Sequence, residues 1–504
     1  MTSVRAALLA CLLLLLMGAG SSARPAVAAP ALPRFVSGAC PFTVGLGLVQ
    51  GREVRCGSLL VPEDRRHPTG RRVVLAVAIF KSPSAHPAPE PLIYLSGGPG
   101  SDPLAGLAPL VTARNIQDVA GRQDFILLDQ RGTDTSTPSL DCAGDQAPTI
   151  TQTIRQCHDD LVGQGIDLNA YTTLTDAADV ADLRRALGDT TVDLLGVSYG
   201  TRLALTVMRL YPTGIRSVIL DSVLAPGVNL FTSKVRNAAR AIAVLFQGCA
   251  HDPACARAYP HVPQDVDQLV TRLNAHPLTV RMTPLTAAMP GALRLTGDGL
   301  AHLLFEALYY TALIPTLPAM IARLHQGDAR LLAQVAARVS VGIADEHYST
   351  GLYYSIECSE SAPSASPRQL DAVAAGVPVA LRAGLLAPVL TDLSMCAIWH
   401  VPPVTLPLAG PFPRAIPTLV LEGKYDPITP PDDGTRTARA LHPSYAVEFP
   451  GTGHAVYTFA PGRCATRIVQ AFLTAPAQRP DTQCVATLQG PAFLLPGRSL
   501  HVGV

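Results

Sequence analysis

The chain runs to 504 residues, more than one ordinary domain holds, so it has room for a large core with an inserted subdomain or for two domains. Its formal charge is +1, 15% of its residues are charged, and no basic block stands out. That balance gives no footing to nucleic acid or to an anionic membrane surface as a partner.

At the N-terminus Arg5 precedes an apolar run from Ala6 to Met17, and small residues follow with A-x-A choices around Ala23 and Ala28. This is the anatomy of a secretory signal, so residues 1–28 are set apart from the fold and a secreted or periplasmic protein is expected. Cys11, after "LLA", offers a lipoprotein cleavage site as the alternative, although too little apolar sequence precedes it. No later segment reads as approaching the ~20 apolar residues of a membrane helix, so no stable membrane insertion is expected.

Of eleven cysteines, Cys11 leaves with the signal and ten remain. An even number in an exported chain favours disulfides. They fall in neighbouring couples, which predicts Cys40–Cys56, Cys142–Cys157, Cys249–Cys255, Cys358–Cys396 and Cys464–Cys484. The alternative is zinc held by Cys249, His251, Cys255 and His261, but that spacing matches no common finger and export favours oxidation. No metal and no cofactor is therefore expected.

In chain order, "VRCGSLLVPED" and "RRVVLAVAIF" read as strands split by a turn-prone "RRHPTG". "PLIYLSGGPGSDP" is a strand running into a glycine-rich loop, and "QDFILLDQRGTDTS" is a strand ending in a polar one. "DAADVADLRRALG" has helical spacing with a Gly where a helix stops. "VDLLGVS", "YGTRLALTVMRLYP" and "IRSVILDSV" then read strand, helix, strand, which implies a parallel sheet buried on both faces. From Pro226 to about Leu408 the pattern is mostly helical, and alternation resumes at "IPTLVLEGKYDPITPP", "YAVEFPGTGHAV" and "CATRIVQAFL". A helical block between two parts of one sheet reads as a lid. The expected division is a core over 35–225, a helical lid over 226–408 and a second core part over 409–504.

The chemistry centres on Gly196-Val197-Ser198-Tyr199-Gly200, a G-x-S-x-G sequence at a strand-to-helix junction. That setting marks Ser198 as a candidate nucleophile on a sharp turn that needs its glycines; the bland reading is a serine in a glycine turn. Serine needs a base and an orienting carboxylate. In the chain order serine, acid, histidine, Asp426 follows one late strand and His454 sits in a glycine-bearing loop after the next. Asp221, at the end of "SVIL", competes as the acid, while His442 and His400 lack the loop setting of His454. The oxyanion needs two backbone donors. Tyr199 follows the nucleophile, and in "SGGPG" Pro99 has no N–H, which leaves Gly98 as the choice and Gly97 as the second.

The set "SGGPGSD", "DQRGTDTS", "GVSYGTRLAL", "YDPITPP" and "GTGHAV" resembles secreted α/β-hydrolases of the prolyl iminopeptidase and tripeptidyl aminopeptidase type. The resemblance covers nearly all of the mature chain, including "SIECSES" and "CAIW" in the helical block. Ser96 stands where such proteins usually carry a His before the glycines, and Asp134 stands where a Gly is frequent. The resemblance implies an α/β-hydrolase fold: a mostly parallel central sheet, helices on both faces and an inserted helical lid. It also implies release of residues or short peptides from a free peptide N-terminus. The substrate ammonium then needs an anion, and Glu357 and Glu360 in the lid are the candidates; the alternative is charges solvated or paired locally. An esterase or lipase-like hydrolase on the same residues, and a non-catalytic binding protein on the same scaffold, are the other readings.

Overall fold

The computed structural model describes residues 33–142, 147–285, 291–345, 347–412, 414–460 and 462–498. The expected signal segment, with Cys11 and its alternative, lies outside the described residues.

Eleven strands occur among the described residues: β1 (Arg34–Gly38), β2 (Val54–Pro62), β3 (Arg72–Phe80), β4 (Leu92–Leu95), β5 (Phe125–Leu128), β6 (Val192–Val197), β7 (Ile215–Asp221), β8 (Leu278–Arg281), β9 (Ala292–Leu295), β10 (Thr418–Gly423) and β11 (Ser444–Phe449). Nine of them form one sheet in the order β1-β2-β3-β5-β4-β6-β7-β10-β11, and β8 with β9 makes a separate hairpin. Strands β1, β2 and β3 are antiparallel, and from β5 to β11 every pairing is parallel. This is the α/β-hydrolase architecture. The central strands β5, β6 and β10 are buried at every residue, as their unbroken Val/Ile/Leu character requires of a sheet covered on both faces. Strand β1, short and largely exposed at the sheet edge, has too little apolar pattern to stand out in the sequence.

Register explains where the chemistry sits. Leu95 pairs with Gly196, Gly196 with Leu220, and Asp221 with both Val197 and Leu421, while Leu421 pairs with Val447. The carboxyl ends of β4, β6, β7, β10 and β11 therefore lie along one edge, where a parallel sheet presents its loops to ligands. The glycine-rich loop, Ser198, Asp426 and His454 follow those ends, and Asp221 closes β7.

Two apolar groups flank the sheet, divided by the alternation of side chains. Ile93, Leu194, Leu220 and Val420 face one side; Leu92, Leu195, Ile219 and Leu421 face the other. Between β7 and β10 the chain is mostly helical, with the β8–β9 hairpin as an addition to the sequence reading. These helices bury an apolar group of their own. The insert is not wholly separate. Leu352, Ile356 and Trp399 belong to the same group as the sheet strands, and the Trp399 indole donates to Ser355 Oγ at 2.9 Å.

All five expected disulfides are present, with Cα–Cα distances between 5.0 and 5.8 Å. Because Cys249 is bonded to Cys255, the zinc alternative loses both its thiolates. One reading needs correction. The helix Val379–Trp399 is long and apolar enough to cross a membrane by length and composition alone. It buries Leu385, Val389, Met395 and Trp399 inside the protein, and Cys396 ties it to Cys358.

Candidate active site

Strand β6 ends at Val197, and helix α1 (Tyr199–Leu210) begins one residue after Ser198. Ser198 has φ 57°, a left-handed conformation uncommon for any residue but glycine. The flanking glycines make the turn feasible. A Cβ at Gly196 would stand 2.3 Å from the Gly200 carbonyl oxygen, and one at Gly200 would stand 1.9 Å from that of Leu95. The serine thus sits on a tight strand-to-helix turn with the first-turn amides of α1 behind it. The Thr201 amide donates to the Ser198 carbonyl at 2.9 Å, while the Tyr199 amide, first in the helix, has no acceptor within it, which leaves it able to bind an anion.

Asp426 is fully buried and accepts four hydrogen bonds. Its Oδ1 takes the amides of Ile428 at 2.9 Å and Thr429 at 2.8 Å; its Oδ2 takes the Thr429 hydroxyl at 2.8 Å and His454 Nδ1 at 2.7 Å. Burial pushes its carboxyl up, but the charge and hydrogen bond of His454 and the two amides outweigh that, and the net direction is below the ordinary value. With Nδ1 bound to the carboxylate, the imidazole presents Nε2 as its basic nitrogen. The ring is further braced by Tyr309, edge-on at 5.1 Å, and the His454 amide donates to the Tyr309 carbonyl at 3.2 Å.

The competitors fall elsewhere. Asp221 accepts from the amides of Val456 at 2.9 Å and Tyr457 at 2.7 Å, so it holds the backbone that follows His454. Burial is the main cause raising its carboxyl to about 6. His400 and His442 are exposed, and no hydrogen bond to Asp426 forms from either among the described residues.

The loop 96–100 lies against the serine. A Cβ on Gly97 would stand 3.0 Å from Ser198 Cβ, and Gly98 adopts φ +105° beside the ring of Tyr348. Gly97 is thus the glycine pressed on the serine, and Gly98 is the next residue outward. Where Ser96 replaces the usual His, its hydroxyl donates to the Ser101 carbonyl at 3.0 Å, while Gln130 Nε2 donates to Ser96 O and Oγ, both at 3.1 Å. These bonds brace the loop through Ser96.

Glu357 and Glu360 lie on α2 (Thr350–Glu360). Arg202, one helical turn past Ser198, reaches Glu357 at 3.3 Å and Glu360 at 3.6 Å. Glu360 also takes the Thr173 amide on Oε1 and the Thr173 hydroxyl on Oε2, each at 2.8 Å. Glu357 is fully buried, and its Oε2 has no hydrogen-bond partner. Asp392, which the sequence reading passed over, takes the Tyr353 hydroxyl at 3.2 Å and feels the charge of Lys234. Its only sequence signal was an acid inside an otherwise apolar helix. A cavity of about 1010 Å³ is lined by Gly248, Tyr425, Phe493 and Arg498 among others, and not by Ser198, Asp426 or His454.

A family model described as alpha/beta hydrolase fold matches residues 90–461. The serine protease Hip1 of Mycobacterium tuberculosis is 28% identical over 463 residues, covering 83% of this chain and 84% of that protein. Carboxylesterase B of the same organism is 26% identical over 436 residues, covering 80% and 81%. A tripeptidyl aminopeptidase of Streptomyces coelicolor is 30% identical over 195 residues, 35% of this chain and 36% of that protein.

Proposed function

The chain belongs to the alpha/beta hydrolase family, a hydrolase of the serine type, and from that premise we propose that it is an exported aminopeptidase. Ser198 Oγ attacks the scissile carbonyl carbon while His454 Nε2 takes its proton, and Asp426 holds the ring and stabilises the imidazolium that forms. The amides of Tyr199 and Gly98, with Gly97 as the second choice, donate to the oxyanion of the tetrahedral intermediate. His454 then protonates the leaving amine, and water attacks the acyl-enzyme by the same route in reverse. The observation that carries this reading is the 2.7 Å bond between Asp426 and His454 on the sheet edge that also holds Ser198 at positive φ.

The peptide substrate and its free N-terminus rest on the peptidase relatives and on the lid carboxylates. Glu357 is the anchor in this proposal. A buried oxygen without a partner costs about 1–3 kcal/mol, and a substrate ammonium would supply what it lacks. Export is supported by the five disulfides, which persist in oxidising compartments. The carboxylesterase relative supports esterase activity as a second reading. Purified enzyme offered free-amine and N-blocked peptide amides, alongside short and long acyl esters, separates the two: preference for the free amine is expected, and preference for acyl esters supports the esterase.

A further inference from the structure

Helix α1 begins with Tyr199, whose side chain is 1% exposed and enters a chain of oxygens that runs to two carboxyl groups. Its hydroxyl lies 3.1 Å from Asp176 Oδ2 and 2.9 Å from Thr173 Oγ1, and Thr173 Oγ1 lies 2.8 Å from Glu360 Oε2. Asp176, Thr173 and the Glu360 side chain are all at most 2% exposed. Three oxygen–oxygen links need three protons. The two hydroxyls supply two, so the third has to come from a carboxylic acid at one end. The Glu360 end is built for an anion: it takes the Thr173 amide and hydroxyl and lies beside Arg202. At the other end Asp176 Oδ1 has no hydrogen-bond partner, and Arg131 Nε is 4.0 Å away, bonded instead to Asp179 at 2.7 Å. A buried orphan oxygen is cheaper as the carbonyl of a neutral acid than as part of a carboxylate.

We propose that Asp176 carries a proton and donates it to Tyr199, which donates to Thr173, which donates to Glu360. This one-way chain positions Tyr199 and hence the amide that faces the oxyanion. Asp176, Thr173 and Glu360 are positioning residues, and their role rests on the serine-hydrolase reading given above. At Asp176 burial and the neighbouring carboxylates favour this placement, while burial at Glu360 works against it. Burial is the largest influence on Asp176 and pushes it well up; Arg131 opposes it, and Asp179 and Glu360 add to it. Burial also raises Glu360, to about 7, against Arg202 and the two Thr173 donors, with Glu357 adding to the rise.

Two measurements test the chain. Infrared spectra of protein carrying ¹³C-carboxyl aspartate, taken at neutral pH, should show a protonated carboxyl band that Asp176→Asn removes. If that substitution removes a carboxylate band instead, the proposal is overturned. Kinetically, Asp176→Ala should lower kcat by about 10²-fold with KM little changed, the scale of a misplaced catalytic group. Asp176→Asn, which donates from the same place, should recover most of that loss; an Asn variant no better than Ala overturns the chain. The spectrum needs neither activity nor the Ala variant. Failure of the hydrolase reading would appear separately, as absence of phosphonate labelling at Ser198.

Discussion

Asp426 Oδ2 and His454 Nδ1 stand 2.7 Å apart, with the carboxylate fully buried and its other oxygen held by two backbone amides. Such an acid is fixed before the substrate arrives, so it can set the tautomer of the imidazole. Asp426→Asn should leave His454 protonated on the wrong nitrogen and lower kcat by about 10⁴, the scale seen where a serine-protease acid is changed to its amide. Steady-state kinetics on one amide substrate checks this. A loss under tenfold would remove Asp426 from the triad.

Asp221 does a different job from the same sheet edge, since it binds the amides of Val456 and Tyr457 just beyond His454. Asp221→Asn should therefore cost activity far less than Asp426→Asn. It should also change how stability varies with pH. A carboxyl raised in the folded state from 3.8 to about 6 stabilises fully below its unfolded pKa, and that contribution fades as pH rises to about 6. The span corresponds to about 3 kcal/mol. Urea unfolding from pH 4 to 7 should show this decline in the wild type and a flatter profile in the variant; identical profiles would remove the assignment.

Ser198→Ala should lower turnover by several orders of magnitude while the protein stays folded, because the smaller side chain fits the same turn. A serine-directed phosphonate should label the wild type at Ser198 and leave the variant unmodified. Labelling at another serine would sink the assignment. The turn itself should be less forgiving: Gly200→Ala forces a Cβ to 1.9 Å from the Leu95 carbonyl oxygen and should prevent correct folding.

The sheet was legible because its central strands are continuous apolar runs, and the Ser198 turn was legible because only glycine tolerates the close approaches at Gly196 and Gly200. The order of Ser198, Asp426 and His454 along the chain followed from topology. Other features depend on contacts between residues far apart in sequence. Nothing local distinguishes Glu357, with its unpartnered oxygen, from Glu360, bonded twice to Thr173, because Thr173 and Arg202 lie far from both along the chain. Strand β1 escaped because it is short and exposed. Helix Val379–Trp399 misled in the other direction: Pro388, Arg382 and Asp392 break up a run that is nonetheless apolar overall.

The carboxylates of Glu357 and Glu360 yield the most specific expectation. An ammonium entering a partly dry pocket loses hydration and needs an opposite charge and hydrogen bonds in return. Glu357 has the unused oxygen, and the neighbouring Cys358–Cys396 bridge ties its helix to the helix Val379–Trp399. Glu357→Gln should weaken cleavage of free-amine peptides by about 2–4 kcal/mol in kcat/KM terms, the scale of a broken buried charge pair. Hydrolysis of a small acetate ester, which carries no ammonium, should hardly change, and N-acetylated peptides should be poor substrates of the wild type. Equal losses on the ester and the peptide would mean that Glu357 only supports Arg202 and the turn above it. Equal cleavage of blocked and free peptides by the wild type would end the aminopeptidase reading and leave a general peptidase or an esterase in its place.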